Sequence, residues 1–402
     1  MYGEKPVKKI AFVTPWYGEK IGGGAEAELR GLAHHLWDAG VDLEILTTCV
    51  KDFLSDWSVD YHQPGLDMDS GFPVRRFPVR PRDTAAFDAV NAKLIAGETV
   101  SDGEEALFMR EMINSPELYA YISASCDQYE LFVFIPYMFG TTYEGMLGCH
   151  GKAILYPCLH DESYAYMRVF RKRYAQSDGM IFLSEPERLL AKRLYGVSGE
   201  MFPAIGAGVE TEWTGNGERF REKYGIHEPF LLYAGRRDPG KKVDELIRCF
   251  REYKRADQSE LKLVLLGGVS SYTERDVIDL GFVPTQDKYD AYHASLVFCN
   301  PSQFESFSLV IMESWLAGRP VLVNAACEVT ASFARQANAG LYYRGGREFI
   351  HCLRYLMTHE KIAERMGQNG RQFVMEHFAW DIIVKKYAAY FELAAETAQR
   401  KK

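Results

Sequence analysis

Short apolar-rich runs alternate with amphipathic stretches along this chain. Residues 9–14, 41–46, 131–135, 153–156 and 180–184 in the first half read as buried strands, as do 229–235, 263–266, 296–298 and 321–323 in the second. Between strands, Ala27, Leu29, Leu32, Ala33 and Leu36 recur at helical spacing up to Gly40, and 243–250 and 346–376 also look helical. A last helix is predicted through Ile382 and Phe391. The βαβ rhythm of both halves predicts an α/β protein with two doubly wound domains. Residues 50–128 are less regular, with a short strand over 74–79 and helices over 87–95 and 105–125. No internal short-period repeat and no low-complexity tract is expected.

The stretch 300–323 carries the most chemistry. Pro301 and Ser302 break the strand before it, Leu309, Met312 and Leu316 follow helical spacing, and Gly318 with Pro320 ends the helix. Glu305 is thereby placed in the loop beyond a strand and Glu313 inside a helix. Ligands of open parallel sheets bind beyond the carboxyl ends of the strands. The helix N-terminus at Phe307, Ser308 and Leu309 offers backbone N–H groups and partial positive charge, which suit phosphate. A carboxylate instead accepts hydrogen bonds from hydroxyls. Two carboxylates beside a phosphate site point to a sugar on either side, a ribose and a hexose. Taken alone, Glu305 reads equally well as a solvated loop residue and Glu313 as a surface helix residue.

Charge sharpens this picture. The net charge is −8, so bulk charge gives no reason to expect nucleic-acid binding. Yet Arg236, Arg237, Lys241 and Lys242 put four cations into seven residues, directly after a strand. A diphosphate requires such a local cluster. The stretch 164–195 is also basic (Arg168, Arg171, Lys172, Arg173, Arg188, Lys192, Arg193), but Asp178, Glu185 and Glu187 interrupt it. A solvated surface is the plainer reading, and peripheral membrane contact through basic residues in 168–193 is the alternative. The eight cysteines form no C-x-x-C pair, which predicts free thiols in a reducing compartment and no metal site. The charged N-terminus (Lys5, Lys8, Lys9) precedes too short an apolar run for a signal peptide. No run approaches the roughly 20 apolar residues of a membrane span. A cytoplasmic protein is expected.

Gly22-x-Gly24-x-x-Ala27 fits a dinucleotide fingerprint on paper. A long loop separates it from the strand ending at Thr14, whereas that motif turns straight after the strand. A nicotinamide site is therefore disfavoured.

The run Glu305-Ser-Phe-Ser-Leu-Val-Ile-Met-Glu313-Ser-Trp-Leu-Ala-Gly318-Arg-Pro-Val resembles the E-x7-E segment of retaining GT-B glycosyltransferases of family 4, the glycogen-synthase-like glycosyl transferases group 1. That family reads E-x-F-G-L-x-x-x-E-A-x-A-x-G-x-P-V. Ser308 stands where it has Gly, and Ser314 where it has Ala. Further likenesses are Gly23-Gly24-x-Glu26, Leu159-His160-Asp161, the Arg236 and Lys241 pair, Gly281-Phe282-Val283, and Phe378-Ala379-Trp380.

The resemblance implies a GT-B fold of two Rossmann-like domains facing across a cleft. An acceptor domain would span 1–203, a nucleotide-sugar domain 204–376, and a terminal helix over 377–402 would return to the first domain. It implies a hexose moved from a nucleoside-diphosphate sugar, of UDP or GDP type, to a hydroxyl of a glycan, lipid-linked or small-molecule acceptor. Surface polysaccharide biosynthesis would be the setting, with no cofactor and no metal. Arg236 and Lys241 would clamp the diphosphate, helped by backbone N–H groups at Phe307, Ser308 and Leu309. Glu313 would take the ribose and Val283 the base. Glu305 would hold the transferred sugar. Gly23, Gly24 and His160 would contact the donor from the first domain, with Asp161 orienting the imidazole or touching acceptor. A GT-B-fold sugar-nucleotide epimerase is the nearest alternative.

Overall fold

The computed structural model describes residues 9–68, 70–269, 272 and 274–400; Lys5 and Lys8 lie outside them. The chain forms two compact units. Val209–Ile382 makes one, and the residues before it together with those from Ile383 onward make the other.

The first unit is built on seven strands: β1 (Lys9–Val13), β2 (Leu43–Thr48), β3 (Gly65–Asp67), β4 (Val74–Phe77), β5 (Tyr129–Phe134), β6 (Ala153–Leu155) and β7 (Gly179–Met180). Their order is β3-β4-β2-β1-β5-β6-β7. All neighbours are parallel except β3 and β4. All residues of β2 and β6 are buried, as befits parallel strands covered on both faces. The antiparallel edge strand β3 escaped the sequence reading because Gly-Leu-Asp has no apolar run, and it is largely exposed. The region predicted as one helix over 105–125 is two helices, Asp102–Glu111 and Pro116–Ser125. Pro116 occupies the first turn of the second and Ser115 caps it, which is where a proline is tolerated.

The second unit is an all-parallel sheet of β8 (Phe230–Ala234), β9 (Lys262–Leu266), β10 (Val277–Gly281), β11 (Val297–Asn300), β12 (Val321–Asn324) and β13 (Gly340–Tyr343). The order is β10-β9-β8-β11-β12-β13. The chain runs outward from β8 through β9 and β10, then restarts beside β8 at β11 and runs the other way. That reversal is a topological switch point, and the crevice at the carboxyl ends of its two strands is where doubly wound sheets bind ligands. The first sheet has the same reversal between β1 and β5.

The last helix, Trp380–Arg400, contributes its residues from Ile383 onward to the first unit. There the Tyr387 hydroxyl donates to the Gly206 carbonyl at 3.3 Å, and the Phe391 ring meets Phe12 edge-on. Two carboxyls are sunk in the same unit. Burial pushes Glu28, beside the Tyr156 hydroxyl and the Gly208 backbone, up to about 8. Glu187 is also pushed up to about 8 by burial. A raised carboxyl favours the protonated folded state. Its stabilisation is complete below the ordinary carboxylate range and is lost as pH rises toward 8. Melting temperature is therefore expected to fall between pH 5 and 8, and Glu28→Gln to flatten that fall in a pH-resolved thermal melt.

Candidate functional site

The loops after β8 and β11 meet at the second unit's switch point. β8 ends in Ala234, and Arg236 and Lys241 follow it around a 3-10 turn, Pro239–Lys241. β11 ends in Asn300, and the loop to the helix Leu309–Leu316 carries Glu305. The Gln303 amide donates to the Gly240 carbonyl at 2.9 Å, which ties the two loops together. Lys241 Nζ then reaches Glu305 Oε1 at 2.7 Å, with both side chains mostly buried. Asn300 Nδ2 lies 3.4 Å from the same oxygen and donates to Ser308 Oγ at 2.8 Å.

Ser308 has φ of 83°, the left-handed region that favours glycine. A Gly in the related motif would adopt it freely. Here the hydroxyl, held by Asn300, ties the strained residue down. Directly after it, the first amides of the helix Leu309–Leu316 have no intrahelical acceptor. The Phe307 side chain is buried edge-on against Phe333 and Phe378, so it is closed to a ligand.

Glu313 is not a solvated helix residue. It accepts from Lys288 Nζ at 2.6 Å and from the Tyr292 hydroxyl at 2.9 Å, and its side chain is 12% exposed. Of the three residues that set the helical spacing, Met312 faces inward. Ile311, Met312, Ser314 and Trp315 are buried, while Leu309 and Leu316 are only partly covered. The cause is a second layer: Trp315 packs against Gly370 of the helix Glu360–His377, where a Cβ would lie 2.3 Å from the ring.

The four-cation cluster separates into different roles. Arg237 forms a bidentate pair with Asp279, whose side chain is fully buried, with one bond at 2.6 Å. It also donates to the Val269 carbonyl. Arg237 thus braces β8 against β10 rather than waiting for a phosphate. Arg236 is 61% exposed, 3.7 Å from Asp238, while its carbonyl accepts from the Tyr233 hydroxyl. Lys242 adopts a left-handed conformation at the start of the helix Val243–Ala256. Nearby, Gly267 has φ of 85°, and a Cβ there would lie 2.4 Å from the Gly235 carbonyl oxygen, so β8 and β9 leave the sheet in backbone contact. Val283 is partly covered just past β10 and follows Phe282, which is 79% exposed. β10 ends at Gly281, and residues 282–284 lead into the helix Thr285–Ala294.

The first-unit candidates are placed as follows. Gly23 caps the helix Gly24–Asp38 with φ of 140°, and the Glu26 carboxylate folds so close that a Cβ on Gly23 would sit 2.0 Å from it. Only glycine fits there. His160 follows β6, and its Nδ1 lies 3.4 Å from Glu162 Oε1. Asp161 instead accepts from Tyr166 and Arg193, so the carboxylate beside the imidazole is Glu162. The basic stretch is threaded with ion pairs: Arg168 with Asp102, Arg188 with Glu185, Arg193 with Asp161. Among the described residues, no helix is long and apolar enough to cross a membrane. Among them, too, no three His, Cys, Asp or Glu side chains are grouped to hold a metal ion.

Residues 216–373 match the family model of glycosyl transferases group 1. The fold of the chain is of the GT-B type. Its fold is similar to that of the Anabaena protein HepE solved with UDP, with a TM-score of 0.71 at 15% identity, covering 96% of this chain and 99% of that one. In sequence, an uncharacterized glycosyltransferase of Methanocaldococcus jannaschii is 24% identical over 45% of this chain and 50% of its own length. A D-inositol 3-phosphate glycosyltransferase of Nocardia farcinica is 27% identical over 54% of each. The chain thus spans about half the length of these relatives. The matched region 216–373 holds Arg236, Lys241, Val283, Glu305, Phe307, Ser308, Leu309 and Glu313.

Proposed function

We propose that the chain is a retaining, metal-independent glycosyltransferase of the family 4 type. It moves a hexose from a nucleoside-diphosphate sugar to a hydroxyl of a glycan, lipid-linked or small-molecule acceptor. The observation that carries this reading is the Lys241–Glu305 pair at the switch point, beside the open helix start at Leu309. Lys241, Arg236 and the amides around Leu309 neutralise the diphosphate and stabilise the charge it gains as it leaves. Glu305 accepts from hydroxyls of the transferred hexose. Glu313 takes the ribose, and the backbone near Val283 meets the base. Roles for His160, Gly23 and Gly24 toward the donor sugar rest on the resemblance alone. The Anabaena neighbour was also solved with UDP-glucose, which supports a nucleotide-linked donor. Surface polysaccharide assembly at the cytoplasmic face of a membrane is the proposed setting.

A panel of UDP- and GDP-linked hexoses, scored for thermal stabilisation and slow hydrolysis, tests the reading. One donor is expected to raise the melting temperature and to lose its sugar slowly to water. Stabilisation by a nicotinamide dinucleotide instead, or conversion of the donor to an epimer without acceptor, would contradict it.

A further inference from the structure

Aromatic side chains collect at the switch point of the first sheet. Trp16 follows β1, Phe139 follows β5, and Phe53 and Trp57 come from the loop after β2. Trp16 has its ring centroid 5.0 Å from Phe139, 5.8 Å from Trp57 and 5.9 Å from Phe53. The loop that supplies Phe53 and Trp57 repeats an acid followed by an aromatic every fourth residue: Asp52-Phe53, Asp56-Trp57, Asp60-Tyr61. This local repeat is the exception to the expected absence of short-period repeats, and is too short to define an architecture.

The aspartates hold the loop's shape. Asp52 Oδ1 accepts from the Leu54 amide, Asp56 Oδ1 from the Ser58 amide and hydroxyl, and Asp60 Oδ1 from the Val79 amide. Trp57 is fixed by its indole N–H to the Phe53 carbonyl and by the Arg82 guanidinium 4.9 Å over its ring. The result is a firmly built loop that shows apolar surface to water. Phe53 and Tyr61 are each 49% exposed and Leu54 is 90% exposed. Clustered apolar exposure of this kind marks an interaction site. Trp16 joins it to the glycine loop, since its indole N–H donates at 2.9 Å to Glu26, in the first turn of the helix that Gly23 caps.

We propose that the loop 52–61 is the platform for a neutral glycan acceptor. The proposal deepens the glycosyltransferase reading and rests on it. One face of a pyranose ring is a sheet of C–H groups that packs on an aromatic ring, while its hydroxyls donate to carboxylates. Aromatics each preceded by an aspartate offer both. The same acids repel a phosphorylated acceptor or an anionic lipid surface, and a membrane-seating loop would carry bases instead. Lys51 is the one base in 51–61. Position agrees with chemistry, because ligands of doubly wound sheets lie at the switch point.

The test uses the full chain with tagged neutral tetrasaccharides (gluco-, manno- and N-acetylglucosamine-based), their phosphorylated forms, and phosphatidylglycerol vesicles. At least one neutral tetrasaccharide is expected to bind. Phe53→Ala and Tyr61→Ala should each weaken that binding by about tenfold, while keeping the wild-type melting temperature and the thermal shift given by the donor. In transfer assays the acceptor KM should rise with kcat largely retained. Absence of neutral glycan binding, indifference to both substitutions, or loss of vesicle binding in their place would overturn the platform. If no sugar nucleotide stabilises the protein but neutral glycan binding still falls in Phe53→Ala, the transferase reading fails and the platform stands.

Discussion

Lys241→Ala and Glu305→Ala are each expected to lower kcat/KM for transfer by about tenfold to hundredfold, the worth of one charge-assisted contact. The two losses have different origins. Lys241 has three donors and spends one on Glu305 at 2.7 Å, leaving ammonium hydrogens for a phosphate oxygen. Removing it strips the diphosphate of a cation and leaves the Glu305 carboxylate, steadied by Asn300, close to incoming negative charge. The loss should appear in donor affinity. Removing Glu305 leaves the ammonium in place, so the diphosphate still docks. What goes is the acceptor for the hexose hydroxyls, and the loss should appear in kcat. Steady-state kinetics with varied donor separates them: donor KM rises along with a fall in kcat for Lys241, whereas for Glu305 the loss is in kcat. Lys241→Arg keeps charge but not the compact geometry, and is expected to recover donor affinity better than turnover.

Arg237→Ala is expected to damage stability rather than specificity. The Asp279 side chain is fully buried and receives both guanidinium nitrogens of Arg237, along with the amides of Tyr272 and Gly281. Deleting the cation of a buried pair leaves a buried charge short of its partner and costs about 3 kcal/mol. For a unit of this size that corresponds to a melting temperature lower by roughly 6–12 °C. Arg236→Ala, at an exposed position 3.7 Å from Asp238, should leave stability nearly unchanged and act on donor handling. Differential scanning calorimetry on the two variants checks this. Equal melting temperatures would show that Arg237 is not the brace of the β8–β10 edge.

These two arginines illustrate what a sequence withholds. Adjacent in the chain, they look like equal members of one basic cluster. Only the fold brings Asp279 from β10 under Arg237, because β10 and β8 flank the same central strand, β9. The same holds for Glu313. Its spacing from Glu305 was legible, but Lys288 and Tyr292 approach it from a helix whose packing no local pattern states. Likewise the carboxylate beside His160 is Glu162, since Arg193 and Tyr166 draw Asp161 away.

What was legible follows from burial on two faces. Parallel strands covered on both sides must be apolar almost throughout, so β1, β5, β8 and β9 stood out as runs, whereas β3, exposed at an edge, left no trace. The segment bearing Glu305 was readable because Pro301, Glu305, Glu313, Gly318 and Pro320 lie in one continuous stretch between two such strands. The helix Leu309–Leu316 was legible from its period, but the period alone does not reveal that the helix Glu360–His377 packs on Trp315. The platform on 52–61 lay outside any family likeness, and emerges only when Phe53 and Trp57 are seen gathered around Trp16.

The central claim is that the switch point of β8 and β11 divides its labour, cation to phosphate and carboxylate to sugar. Calorimetric titration of UDP and GDP, without any sugar attached, into the wild type, Lys241→Ala and Glu305→Ala tests it directly. The expected result is one nucleoside diphosphate whose affinity drops about tenfold to hundredfold in Lys241→Ala and is unchanged or tighter in Glu305→Ala. Equal affinity in all three proteins, or an equal loss in both variants, would contradict it.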